Sequence, residues 1–168
     1  IANLKRKDSI LLISEAEINL LDIVYGILLK AYSFNNYKSS ETDALTTVVV
    51  LNSKFERIQK DFEFFKSLLH GVYFCRDLIN EPANILNTIE FSKRLKSLEN
   101  YGLKVEVLEE KSIEKIGMRA LLAVGQGSEC PSFVVVIKWE GSSNDEKPLL
   151  LLGKGVVFDS GGISIKPG

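Results

Sequence analysis

The chain has 168 residues, 45% of them hydrophobic, with 21 basic side chains against 22 acidic ones. That length is enough to bury a core, and the near-zero net charge offers no electrostatic footprint to nucleic acid or an anionic membrane. No apolar run approaches the ~20 residues of a membrane-spanning helix, and the two cysteines, Cys75 and Cys130, lack zinc-type spacing. They read as free, buried thiols in a reducing compartment, which places the protein in the cytoplasm.

In chain order, Ser9 to Ile13 reads as a short strand. Ser14 and Glu17 form a capping box, and Ile18, Leu21, Tyr25, Leu28 and Tyr32 recur at helical spacing, predicting a helix from Glu15 to about Tyr32. Phe34 to Asp43 is polar loop, and Leu45 to Leu51 is β-branched enough to be a strand. Nothing in this first stretch supplies an evident partner for either strand. A second capping box, Ser53 with Glu56, opens a long helix whose apolar stripe runs Phe55, Ile58, Phe62, Phe65, Leu69 and Val72 to Arg76. Pro82 ends it, because the residue before proline resists helical geometry. His70, the only histidine, falls on this helix and is expected to face solvent or the interdomain surface.

Asn87 is placed to cap a helix reaching about Asn100, with Glu90 in its first turn and Gly102 as the stop. Lys104 to Glu109 alternates polar and apolar as a half-buried strand does. Glu110 to Ile116 is a short helix ended by Gly117, and Ala120 to Val124 leads into the Gly125-Gln126-Gly127-Ser128 turn. Ser132 to Trp139 is a valine-rich strand, and Gly141 to Lys147 a charged loop. Four leucines, Leu149 to Leu152, then form a run short enough for a strand buried on both faces. The alternation of strands and helices argues a layered α/β fold.

The chemistry gathers at the end of that run. Lys154 sits between Gly153 and Gly155, Asp159 precedes Ser160-Gly161-Gly162, and Lys166 follows. A carboxylate is a hard oxygen ligand for a divalent ion. A lysine amine coordinates only after losing its proton, which desolvation or a neighbouring cation favours. A retained lysine charge polarises a carbonyl and stabilises the oxyanion formed on attack by water. Taken singly, these residues equally suit an ordinary turn. Asp159-Ser160-Gly161-Gly162 also looks like a serine-protease nucleophile segment, but Phe158 and Ile163 break that pattern, and the lone His70 is on the long helix. The glycine spacing matches neither a dinucleotide fingerprint nor a P-loop.

The ordered string Gly-Lys-Gly-x-x-Phe-Asp-Ser-Gly-Gly-x-Ser-x-Lys-Pro, from Gly153 to Pro167, resembles the signature of the leucyl (cytosol) aminopeptidase family of two-metal exopeptidases. Supporting matches are Arg76 to Asn84, Gly117-Met118 and Ala123 to Ser128. The resemblance implies Lys154 as a metal ligand, Asp159 as the carboxylate bridging two ions, and Lys166 as the catalytic lysine on the scissile carbonyl. It further implies two divalent ions, Mn2+ or Zn2+, peptide substrates and a homo-hexamer. The fold it implies is the end of an N-terminal α/β domain (1–52), a connecting helix (53–83) and the first half of a mixed-sheet α/β/α catalytic domain (84–168). The family's later ligands have no counterpart up to Gly168, and Ile1 is not a methionine, so an interior piece, inactive alone, is expected. The alternative is a non-catalytic α/β binding module or the relic of a truncated gene.

Overall fold

The computed structural model describes residues 9–13, 20–39, 47–52, 55–141 and 147–158. The chain divides into two compact units, Ile1–Asn80 and Glu81–Gly168. Both mix helices with small sheets, the α/β class expected.

In the first unit, β1 (Ser9–Ile13), α1 (Leu20–Ala31) and β2 (Thr47–Leu51) form a βαβ unit. The two strands pair in parallel, Ser9 opposite Thr47 through Ile13 opposite Leu51. The sequence suggested no partner for either strand, and each proves to be the other's. A parallel pair needs a crossover of a dozen or more residues, usually a helix, and α1 is that crossover. Ile10, Leu12, Val48 and Val50 are half-buried, whereas Leu11, Ile13, Val49 and Leu51 on the other face are exposed. The capping boxes at Ser14 and Ser53 lie outside the described residues or begin there, so neither cap is seen.

The long helix α2 (Phe55–Asn80) packs on α1. Its predicted stripe holds from Ile58 on, the side chain of Phe55 lying outside the description: Leu69 is buried, and Ile58, Phe62, Phe65, Val72 and Arg76 are half-buried, while Phe64, Leu68 and Ile79 are exposed. Along α1 the deepest positions are Leu20, Val24 and Ile27, one step around the helix from the predicted stripe. Tyr25 and Tyr32 flank that line instead and stack against α2, Tyr25 on Phe65 at 5.4 Å and Tyr32 on Tyr73 at 5.1 Å between ring centroids. Rings this wide fill the groove between two helices better from its side than from its floor. Cys75 is exposed, contrary to expectation, and Cys130 half-buried; both are free thiols. His70 is exposed.

The last carbonyls of a helix have no partner within it. Those of α1 are met by α2: the Tyr73 hydroxyl donates to the Leu28 carbonyl, and Arg76 Nη1 donates to the Leu29 carbonyl at 2.6 Å. Arg76 also lies 5.3 Å from the centre of the Tyr32 ring, and Tyr32 donates to Asp77 Oδ1 at 2.8 Å. Burial pushes the phenols of Tyr32 and Tyr73 above their ordinary range.

The second unit opens with α3 (Thr88–Lys96), whose cap is the predicted one: Asn87 Oδ1 accepts from the Glu90 N–H at 2.9 Å. The predicted helix beyond Lys96 tightens into a 3₁₀ turn, Ser97–Tyr101, which ends at Gly102 with φ of 82°. β3 (Lys104–Leu108) follows, then α4 (Glu110–Ile116), ended by Gly117 at φ of 87°. Left-handed backbone at both helix ends is why glycine stands there. Residues Arg119–Gly125 form α5, and β4 (Val134–Lys138) pairs antiparallel with β3. The core is small: Leu86, Val105 and Ile113, the last fully buried. Among the described residues no helix is long and apolar enough to cross a membrane.

The hairpin carries a pH-dependent contact. Lys104 stands opposite Lys138, and Lys104 Nζ reaches Glu140 Oε2 at 2.6 Å. The hydrogen bond from Lys104 holds the Glu140 carboxyl below the usual carboxylate range, and the charge of Lys138 adds to it. A depressed carboxyl stabilises the fold above its unfolded pKa, and the contribution disappears as pH falls through the folded one. Wild type is therefore expected to be slightly more stable than Glu140→Gln at neutral pH. The gap should close on acidification and in high salt, because both partners are exposed. Urea unfolding of the two proteins across the acid range checks this; a gap that widens in acid would reverse the assignment.

Candidate functional site

The segment after β4 carries the expected site residues. Residues 147–158 run without helix or strand, and Leu149, Leu150, Leu151 and Leu152 are 86%, 75%, 83% and 90% exposed. The predicted buried strand is not formed. Such a strand needs a hydrogen-bonding neighbour and cover on both faces, and no described strand pairs with it.

Lys154 follows, exposed, and its amine makes no hydrogen bond or ion pair among the described residues. The burial that a strand end was expected to impose on it is not present. The two flanking glycines differ. A Cβ at Gly153 would meet nothing within 4 Å, whereas one at Gly155 would lie 3.2 and 3.3 Å from Cδ1 and Cζ of Phe91, and nearer still to Cε1. The ring of an α3 residue thus occupies the space a side chain at 155 would need. Asp159 and Lys166 lie outside the described residues, so one of the three expected site residues has a described position.

What holds α3 was only partly legible. Arg94 Nε donates to Glu90 Oε1 at 2.9 Å, and its Nη1 donates to Glu81 Oε1 at 3.0 Å. Glu81 has only 4% of its side chain exposed. The Glu90 hydrogen bond, then the Glu81 one, raise the Arg94 guanidinium further above its ordinary range. Glu90 and Arg94, four apart, are a readable helix pair. Glu81 and Arg94, thirteen apart across a proline, are not.

The Gly125 to Ser128 turn is closed by the Ser128 N–H donating to the Gly125 carbonyl at 2.9 Å. It lines a solvent-open cleft of about 510 Å³ with Glu110, Glu114 and Glu129. Glu110 Oε1 already accepts from the Ser132 N–H at 2.9 Å. No group of three or more His, Cys, Asp or Glu among the described residues is placed to hold a metal ion.

The sequence profile of the cytosol aminopeptidase family, catalytic domain, matches residues 73–168. The chain belongs to the cytosol aminopeptidase family. Among its relatives are proteins described as probable cytosol aminopeptidases. That of Cereibacter sphaeroides is 49% identical over 146 residues, 87% of this chain and 30% of the relative. That of Dinoroseobacter shibae is 51% identical over the same shares. That of Phytoplasma australiense is 45% identical over 150 residues, 88% of this chain and 30% of the relative. The chain thus spans about 30% of the length of these relatives. Among solved structures, the bottromycin maturation enzyme BotP in complex with Mn superposes with a TM-score of 0.61 at 26% identity, over 71% of this chain and 25% of BotP.

Membership in the cytosol aminopeptidase family sets the test for a metal. Lys154 fits as a single donor: its amine has no partner among the described residues, and the backbone beside it lies against a ring that a Cβ would strike. Beyond that amine, no group of three or more His, Cys, Asp or Glu among the described residues is placed to join it.

Proposed function

We propose that the whole protein carrying this chain is a metal-dependent aminopeptidase that releases leucine-type N-terminal residues from peptides. It works in the cytoplasm as a homo-hexamer, with two divalent ions, Mn2+ or Zn2+. The observation that carries this reading is the ordered string from Gly153 to Pro167 in a chain of the cytosol aminopeptidase family. The manganese bound to BotP supports that ion as one occupant.

When bound, such ions activate water and polarise the scissile carbonyl. Lys154 supplies the amine ligand. Because its side chain is exposed, ligation relies on the field of a neighbouring cation rather than on burial. Asp159 supplies the shared carboxylate. Lys166 keeps its charge and donates to the carbonyl oxygen as that atom becomes an oxyanion.

One amine and one carboxylate do not hold two divalent ions against water. The whole protein is therefore expected to hydrolyse a leucine anilide with added Mn2+, and the 168-residue chain alone to release no product. Metal-dependent turnover by the short chain would refute the division of ligands. Inactivity of the whole protein with both Mn2+ and Zn2+ would refute the aminopeptidase reading.

A further inference from the structure

From the packing of α3 on the glycine loop, we infer that Phe91 is a positioning residue for Lys154. The inference rests on the reading of Lys154 as a metal ligand and deepens it. Lysine has the most rotamer freedom of the ligand types in play, so a lysine ligand is only as well placed as the backbone that carries it. On one side of Lys154, Gly153 has open space where a Cβ would be. On the other side, all three atoms nearest a Cβ at Gly155 belong to the Phe91 ring. The ring thus sets how closely the backbone at 155 approaches α3.

Phe91 is itself well held. It sits in the first turns of α3, beyond the Asn87 cap and next to Glu90, whose carboxylate is tied to Arg94 and through it to the buried Glu81. Position therefore passes from the capped helix to a half-buried ring, from the ring to a glycine without side chain, and from there to the adjoining lysine. A methyl group at 155 displaces the loop from the ring; loss of the ring removes the stop.

The test measures Mn2+ binding to the whole protein by calorimetry, with no substrate present. Outer residues that orient a ligand typically change metal affinity ten- to a hundredfold. Phe91→Ala and Gly155→Ala are each expected to weaken Mn2+ binding by roughly tenfold or more. Phe91→Leu combined with Gly155→Ala should bind more tightly than Gly155→Ala alone, because the shorter side chain admits the methyl. Lys154→Ala separates the two readings. If it binds Mn2+ like wild type, the ligand reading fails and this inference with it. If Lys154→Ala loses affinity while Phe91→Ala and Gly155→Ala keep it, the positioning role alone is overturned. A lower melting temperature of the metal-free variants with unchanged affinity also overturns it, since a purely structural ring would do that. Should Phe91→Ala fail to fold, Phe91→Leu alone decides, wild-type affinity counting against the inference.

Discussion

In the whole protein, Asp159→Ala is expected to abolish both turnover and metal occupancy, whereas Lys166→Ala leaves the metal in place and loses turnover. The two residues are seven apart on one glycine-rich segment, yet their chemistry differs in kind. A carboxylate shared by two ions cannot be removed without lowering the affinity of both. A lysine that only meets the oxyanion contributes little before that charge develops, so its loss appears in kcat. Removal of one oxyanion donor in other enzymes costs on the order of 10²–10³ in kcat, and a loss of that size is expected for Lys166→Ala. Metal content by elemental analysis, alongside kcat and KM on a leucine anilide, separates the two. Equal metal loss in both variants would break the division of roles.

The second large effect is on stability. Arg94→Leu is expected to destabilise the Glu81–Gly168 unit by about 2 kcal/mol, because it removes a charged hydrogen-bond donor from a carboxylate that has largely left water. The Glu81 side chain is 4% exposed, against 27% for Arg94. Arg94→Lys should recover part of the loss. An ammonium carries the charge but not the planar fork that reaches Glu81 and Glu90 at once. The comparison is Lys66→Ala, which removes an exposed pair with Glu63 at 3.6 Å and should change little. Chemical denaturation of the three variants checks the order. A loss for Arg94→Leu no larger than that for Lys66→Ala would mean that the Arg94 contact contributes no more than an exposed pair.

Features set by a few neighbouring residues were legible in the sequence. The Asn87 cap, the glycine stops at 102 and 117, the span of β1 and the buried stripe of α2 all depend on local spacing or on backbone freedom. What depended on distant partners was not. The β1–β2 pairing joins segments more than thirty residues apart, and nothing in either strand names the other. The leucine run has the composition of a buried strand, but burial belongs to whatever covers it, and no described strand pairs with it. On α1 the apolar positions are dense enough to support two adjacent stripes, and packing against α2 chose between them. At the site, the ordered string singled out Lys154, Asp159 and Lys166 as the expected residues. Phe91 and the Glu81–Arg94 contact show themselves only once the chain has folded back.

The bare leucines from 149 to 152 also decide how a short version of this chain behaves at the bench. Four such side chains in water gain free energy from any edge that will take them, and β3 and β4 each keep one edge unpaired among the described residues. Encounter between copies rises with the square of their number per volume, whereas folding within one copy does not depend on it. Dilution is then a variable that helps keep such a chain in solution.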